Sequence, residues 1–236
     1  TIDREGTNYG TLQVRVRDAD NFSNFLTSGF YGAFNVTTDA LTWDSGYINT
    51  TNESGVLTYY FDPVCSPLYA VGSHRWRGGT FNDTCYKQGF SSNFTLNVTG
   101  QLKNSLLTPN YTNQFNSSNN ILLRYNITSE CAAEGALDNV SSTSIDLLAS
   151  NGTWTTCTPV TAESTAGGGS SRGLYNCTWN PLGHKQGNWT VIINSSLAPT
   201  YNTNSTNYSN WFYLRDVAPI AGVANVSPGT GGWSRP

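Results

Sequence analysis

The chain has 236 residues and a net charge of −3, and only 11% of its residues are charged, against roughly 25% in an ordinary soluble domain. Twelve Lys and Arg set against 15 Asp and Glu leave no basic face for nucleic acid, and no apolar run approaches the length that crosses a bilayer. The length suits one large domain or two ordinary ones, each with a core of its own.

In chain order the predicted elements are short strands rich in Val, Thr, Tyr, Phe and Trp, separated by Gly/Asn/Ser/Pro turns, with no amphipathic helix of useful length. TLQVRVRD (11–18) and GAFNVTT (32–38) come first, then GVLTYYFDP (55–63) and NFTLNVTG (93–100). QLKNSLLT (101–108), ILLRYNIT (121–128), SIDLLAS (144–150), GLYNCTWNP (173–181), NWTVIIN (188–194) and NWFYLRD (210–216) follow. In NFTLNVTG the alternation of a strand puts Phe94, Leu96 and Val98 on one face and Asn93, Thr95, Asn97 and Thr99 on the other. The second face holds two overlapping N-x-[S/T] glycosylation acceptors and no charge.

That pattern recurs along the whole chain. With 27 Asn and 55 Ser plus Thr, chance would produce the acceptor about six times. It occurs 18 times, at Asn21, Asn35, Asn49, Asn52, Asn82, Asn93, Asn97, Asn110, Asn116, Asn126, Asn139, Asn151, Asn176, Asn188, Asn194, Asn204, Asn207 and Asn225, never with Pro in the middle. The expectation is heavy N-glycosylation, at half or more of the sites, with Asn93, Asn97, Asn126 and Asn188 facing solvent, and therefore an extracellular or cell-surface protein. Sugar replaces charge as the wetting agent.

The five cysteines show no C-x-x-C pair and no His at metal-ligand spacing, so disulfides in an oxidising compartment are expected rather than zinc. Cys65 and Cys85 bracket one 19-residue loop, Cys157 and Cys177 another, and these two pairs are predicted, leaving Cys131 over. Cys131 with Cys177 is the rival pairing. No signal peptide or initiating Met is present, so a mature chain or a segment of a longer one is expected.

The chain also repeats itself. GVLTYYFDP aligns without gaps on GLYNCTWNP, matching Gly55 with Gly173, Phe61 with Trp179 and Pro63 with Pro181. A turn with Gly72, His74 and Trp76 follows the first, and one with Gly183, His184 and Trp189 the second. The pattern predicts an all-β fold of tandem Ig-like β-sandwiches: residues 1–100, residues 101–218, and a linker or strand at 219–236 leading into the next copy. The run GLYNCTWNP…GNWTVIINSS…YNTNSTNYSNWFYLRDVAP, with the tail VSPGTGGW, resembles tandem Ig-like repeat modules of very large, glycosylated archaeal cell-surface and filament proteins. The resemblance implies an extracellular architectural role and carries over no catalytic residue.

No nucleophile elbow, zincin motif, phosphate loop or dinucleotide fingerprint occurs, and the duplicated His sits in duplicated turns, so no enzymatic activity and no cofactor are expected. Asp18, Asp20 and Asn21 have oxygen atoms suited to Ca²⁺, but a strand-end turn explains them as well, and the expectation is no metal. Arg75, Trp76 and Arg77 read as a solvated loop or a cation–π pair rather than a phosphate or sugar site. Tyr201, Tyr208 and Trp211 are expected in exposed loops, as a carbohydrate platform or stacked on the protein's own glycans.

The ends complement each other. The second module has a first strand available in 101–108, the first module has almost nothing before residue 11, and residues 219–236 offer a strand with no module behind it. The expected partners are therefore copies of itself along a fibre, with Ile220, Val223 and Val226 of one copy packing near Leu12, Val14 and Val16 of the next. The expected function is a structural unit of a glycosylated extracellular filament. The alternative is an adhesin or receptor-type ectodomain. A pilin is less well matched, lacking the long apolar N-terminal helix.

Overall fold

The computed structural model describes residues 1–21, 23–137, 140–163 and 172–215. Among them all the regular structure is strand: β1 (Ile2–Asp3), β2 (Gly10–Arg15), β3 (Tyr31–Val36), β4 (Tyr47–Thr50), β5 (Val56–Phe61), β6 (Gly72–Thr80), β7 (Gly89–Phe90) and β8 (Phe94–Thr108) come first. Then follow β9 (Gln114–Asn116), β10 (Ile121–Ser129), β11 (Ser142–Ala149), β12 (Trp154–Cys157), β13 (Thr161–Ala162), β14 (Leu174–Trp179), β15 (Gly187–Leu197) and β16 (Tyr201–Arg215). The fold is all-β, two Ig-like sandwiches in tandem.

In the first module one sheet runs β4-β3-β6-β8, with β1 parallel on the far edge of β8 and β7 extending β6. The antiparallel pair β2-β5 faces it. Phe34, Val36, Leu57, Phe61 and Val98 fill the space between. In the second module β8-β10-β14-β13 faces β12-β11-β15-β16-β9. Period-2 alternation drives this packing. Along β10, Ile121, Leu123, Tyr125 and Ile127 point inward and are essentially fully buried against Ile145, Leu147, Trp189, Val191 and Ile193. Each fully buried residue of this size contributes about 1.5–3 kcal/mol of transfer free energy.

The two cores divide between Val98 and Leu102. The backbone does not. The last strand of the first module and the first strand of the second are one strand, β8, and the expected boundary at 100/101 falls inside it. Up to Val98 it pairs with β6; from Leu102 it pairs with β10.

The modules superimpose bond for bond at several points. Val16 N–H donates to Gly55 O at 2.9 Å and Ile127 N–H to Gly173 O at 2.8 Å; Leu26 N–H donates to Val16 O, and Leu137 N–H to Ile127 O, each at 3.1 Å. Gly55 and Gly173 both hold positive φ, at 70° and 67°, a conformation that favours glycine. Arg4 N–H donates to Thr99 O as Ser117 N–H does to Arg215 O, so β1 is the counterpart of β9.

This corrects two expectations. The first module does have a strand ahead of residue 11, because Ile2 and Asp3 pair with Val98 and Thr99 and Ile2 is buried. The histidines are not equivalent. Gly72 and Gly187 begin matching strands opposite Val98 and Leu214, so His74 occupies the place of Trp189. His74 Nε2 lies 2.6 Å from Ala70 O, and Trp189 Nε1 donates to Lys185 O, in each case four residues back. His184 instead packs against Trp179 and Trp189.

Candidate functional site

Sixteen of the 18 acceptor Asn lie among the described residues; Asn139 and Asn225 do not. Asn21, Asn52, Asn82, Asn93, Asn97, Asn110, Asn116, Asn151, Asn188 and Asn207 are exposed. Asn35, Asn49, Asn126, Asn176, Asn194 and Asn204 are partly buried, and several are occupied in the fold. Asn204 Nδ2 donates to Leu102 O at 2.7 Å, and Asn194 Nδ2 to Asp146 Oδ2 at 2.9 Å. Asn126 departs from expectation. It lies on β10, flanked by strands on both sides, with Oδ1 buried, without a hydrogen-bond partner, against Gly173.

The cysteines correct the expected pairing as well. Cys157 bonds to Cys177, joining β12 to β14, the two facing sheets of the second module. Cys65 bonds not to Cys85 but to Cys131, 66 residues away in the other module. The reason is where the loops lie. Cys65 follows β5 at the end of the first module that abuts the second, whereas Cys85 is in the β6–β7 loop at the opposite end, exposed and unpaired. A short loop in sequence is here a long distance in space.

Beside Cys65–Cys131 sits a feature that the sequence reading missed. Arg4 has no exposed surface, and its guanidinium donates to Glu130 Oε1 at 2.7 Å and in a fork to both oxygens of Glu134. It also donates to Tyr69 O and Ser129 Oγ. Burial alone would lower the Arg4 pKa, but the bonds to Glu134 and Glu130 outweigh it and raise it. Tyr201 O–H donates to Glu134 Oε2 at 2.8 Å, and burial together with that bond pushes the phenol up to about 12. A parallel ladder of Tyr201 and Asn202 on Gly100 and Gln101 completes the joint between the modules.

The far end of the first module is open. In the second module the outer edge of β10 is covered by β8, with Leu106 opposite Tyr125 and Asn104 opposite Ile127. The matching edge of β2 has no ladder partner among the described residues. A groove of about 760 Å³ lies there, lined by Val14, Val16, Leu26, Gly78, Cys85 and Tyr86 among others. Of the expected assembly residues, Leu12 and Val16 are buried and Val14 is half-buried, while Ile220, Val223 and Val226 lie outside the described residues.

The other singled-out residues have structural partners. Asp18 Oδ1 accepts the N–H of Asp20 in a turn, and among the described residues no group of three His, Cys, Asp or Glu lies close enough to hold a metal. The Arg75–Arg77 cluster is split: Trp76 stacks on Phe94 at 4.7 Å, and the Arg77 guanidinium lies between Trp43 and Phe90. Tyr201, Tyr208 and Trp211 are on β16 rather than in loops, with their polar atoms bonded to Glu134, Asn104 O and Pro109 O. Among the described residues no helix is long and apolar enough to cross a membrane.

No protein-family model matches the chain, and no curated protein matches it significantly. Among solved structures it is similar to fibronectin(III)-like modules of CbhA from Clostridium thermocellum, at 10% identity over 91% of this chain and 88% of that one, with a TM-score of 0.29. It is similar to the tetra-tandem repeat in the extending region of a large adhesion protein (16% identity, 76% of this chain, 41% of that one, TM-score 0.31). Domains 4 and 5 of the S-layer protein SbsC match at 12% identity over 67% of this chain and 69% of that one, with a TM-score of 0.27. Likeness at this level says nothing about residues, ligands or partners.

Proposed function

We propose that this chain is a structural building unit of a heavily N-glycosylated extracellular filament or surface fibre, of the kind found in large archaeal cell-surface proteins, and that its copies assemble head to tail. The observation that carries the reading is β8, which ends one sandwich and begins the next without a break. A module joined to its neighbour in this way shares a strand with it, and the same join repeated makes an open fibre rather than a closed oligomer. Residues 219–228, with Ile220, Val223 and Val226, are the segment that continues from the second module.

Two further features support the reading. Ten exposed acceptor Asn on a surface poor in charge suit a sugar coat, which also blunts the strand edges of two sandwiches against promiscuous pairing. Two disulfides suit an oxidising, extracellular setting, and one of them ties module to module. The chain does its work by holding length and shape, with no catalytic residue and no cofactor beyond covalent glycans. Deleting residues 219–236 tests assembly: the truncated protein should fold with both disulfides intact and form no fibres. Fibres of normal appearance from the truncated chain would contradict the proposal.

A further inference from the structure

The open edge of β2 defines an acceptor, and β8 supplies the template for its occupant. Because Val16 N–H bonds to Gly55, just ahead of β5, alternation turns the backbone groups of Thr11, Gln13 and Arg15 to the outer side, where no described strand meets them. The equivalents of Gln13 and Arg15 on β10, Arg124 and Asn126, meet β8. There the pairs Leu106–Tyr125, Ser105–Asn126, Asn104–Ile127 and Leu102–Ser129 fix the register of an antiparallel strand entering from the neighbouring module, with a one-residue shift beyond Tyr125, where Arg124 meets Thr108.

We infer that the outer edge of β2 takes a strand from a second copy of this chain, residues 220–224, antiparallel, with Ile220 opposite Val16 and seated in the groove beside it. The inference rests on the head-to-tail reading and specifies its contact. Two equivalences between the modules set the register. Val98 and Thr99 match Leu214 and Arg215, through their bonds to β1 and β9. Val16 matches Ile127, through its bonds to Gly55 and Leu26. Asn104, six residues beyond Val98, is opposite Ile127; six residues beyond Leu214 is Ile220, opposite Val16.

The side-chain chemistry agrees with this register. Asn104 points inward and is buried, so the matching Ile220 points inward too, toward Val14, Val16, Leu26 and Gly78. Gly78 lets Phe34 and Val14 pack close beneath the groove, since a Cβ there would lie 2.8 Å from the Phe34 ring and 3.0 Å from Val14 Cγ2. Ala221 falls opposite Arg15 as a hydrogen-bonded pair, as Ser105 does opposite Asn126, and donates its N–H to the open edge; beyond that the template shifts by one residue, Thr108 facing Arg124, so Ala224 falls opposite Gln13. Pro219, which has no N–H, opens the strand, a position where proline is tolerated. A slip of one residue would turn Ile220 to solvent and Val223 inward, so the register rests on the equivalence with Asn104, with the larger Ile220 as the inward residue.

Paired cysteines in the full-length chain test this, in a Cys85→Ser background. Opposed Cα atoms of a hydrogen-bonded antiparallel pair lie about 5.5 Å apart, within disulfide range. Arg15→Cys combined with Ala221→Cys should therefore link assembled copies into a ladder of dimers, trimers and longer chains on a non-reducing gel, collapsing on reduction. The slipped pair Arg15→Cys with Gly222→Cys should leave monomers. Fibres visible by electron microscopy but no ladder from the first pair, or equal ladders from both, would overturn the register while leaving the assembly reading intact. Neither fibres nor a ladder would overturn both. Ile220→Asp should abolish the ladder, and its persistence at the original yield would overturn the role given to Ile220.

Discussion

Arg4 of the first module and Glu134 of the second form a forked ion pair in which the guanidinium has no exposed surface. Removing one partner of such a pair leaves the other charged and short of partners, which costs about 3–5 kcal/mol in other proteins. Arg4→Ala is therefore expected to destabilise the chain by an amount in that range, because Glu130 and Glu134 are both stranded. Chemical denaturation monitored by tryptophan fluorescence would measure it. A change below about 1 kcal/mol, the size of an exposed pair, would mean that water reaches the joint.

The same cluster sets an acid limit. Burial alone would raise the Glu134 pKa, but hydrogen bonds from Arg4, Ser129 and Tyr201 outweigh it and hold the carboxyl below its ordinary value of 4.5. A carboxyl depressed in the folded state favours folding above that ordinary value, and the contribution fades as pH falls below 4.5 through the folded pKa. Stability should thus drop between about pH 5 and pH 3 in the native chain, and the drop should be smaller in Glu134→Gln. Identical pH profiles for the two would exclude Glu134 as a source.

Cys65–Cys131 closes a loop of 66 residues across the joint. On the loop-entropy model it contributes about 4 kcal/mol, against about 3 for Cys157–Cys177, whose separation is 20. Non-reducing peptide mapping should recover a Cys65–Cys131 cross-linked peptide, with Cys85 alkylated before any reductant is added. A Cys65–Cys85 peptide would contradict the joint described above.

Sugar occupancy should follow exposure. Site mapping of the native protein is expected to find Asn93, Asn97 and Asn188 modified and Asn126 and Asn204 bare. The first three are exposed, Asn97 and Asn188 on strands and Asn93 just ahead of β8, whereas Asn126 has a buried Oδ1 and Asn204 Nδ2 is bonded to Leu102 O. An unmodified chain from the native source would remove the glycan coat from the proposal.

The strands were legible because alternation is a local signal: every second residue of ILLRYNIT had to be apolar for β10 to bury one face. The repeat was legible through Gly55 and Gly173, which need the same backbone conformation. What escaped was non-local. One Arg in a short N-terminal segment follows no period, and nothing nearby in sequence announces that Glu130 and Glu134 will meet it. Loop length proposed Cys65–Cys85, although the β6–β7 loop lies at the far end of the module. The His alignment failed because it matched residue identity, where Gly72 and Gly187 carry the true register at φ values of 118° and 137°.

Imaging native surface material by electron cryo-microscopy tests the central claim most directly. The account predicts regular fibres whose axial repeat is one two-module unit, with glycan density on the exposed acceptor Asn and an extra strand from the neighbouring copy along the outer edge of β2. Discrete particles, or fibres in which that edge of β2 faces solvent, would contradict it.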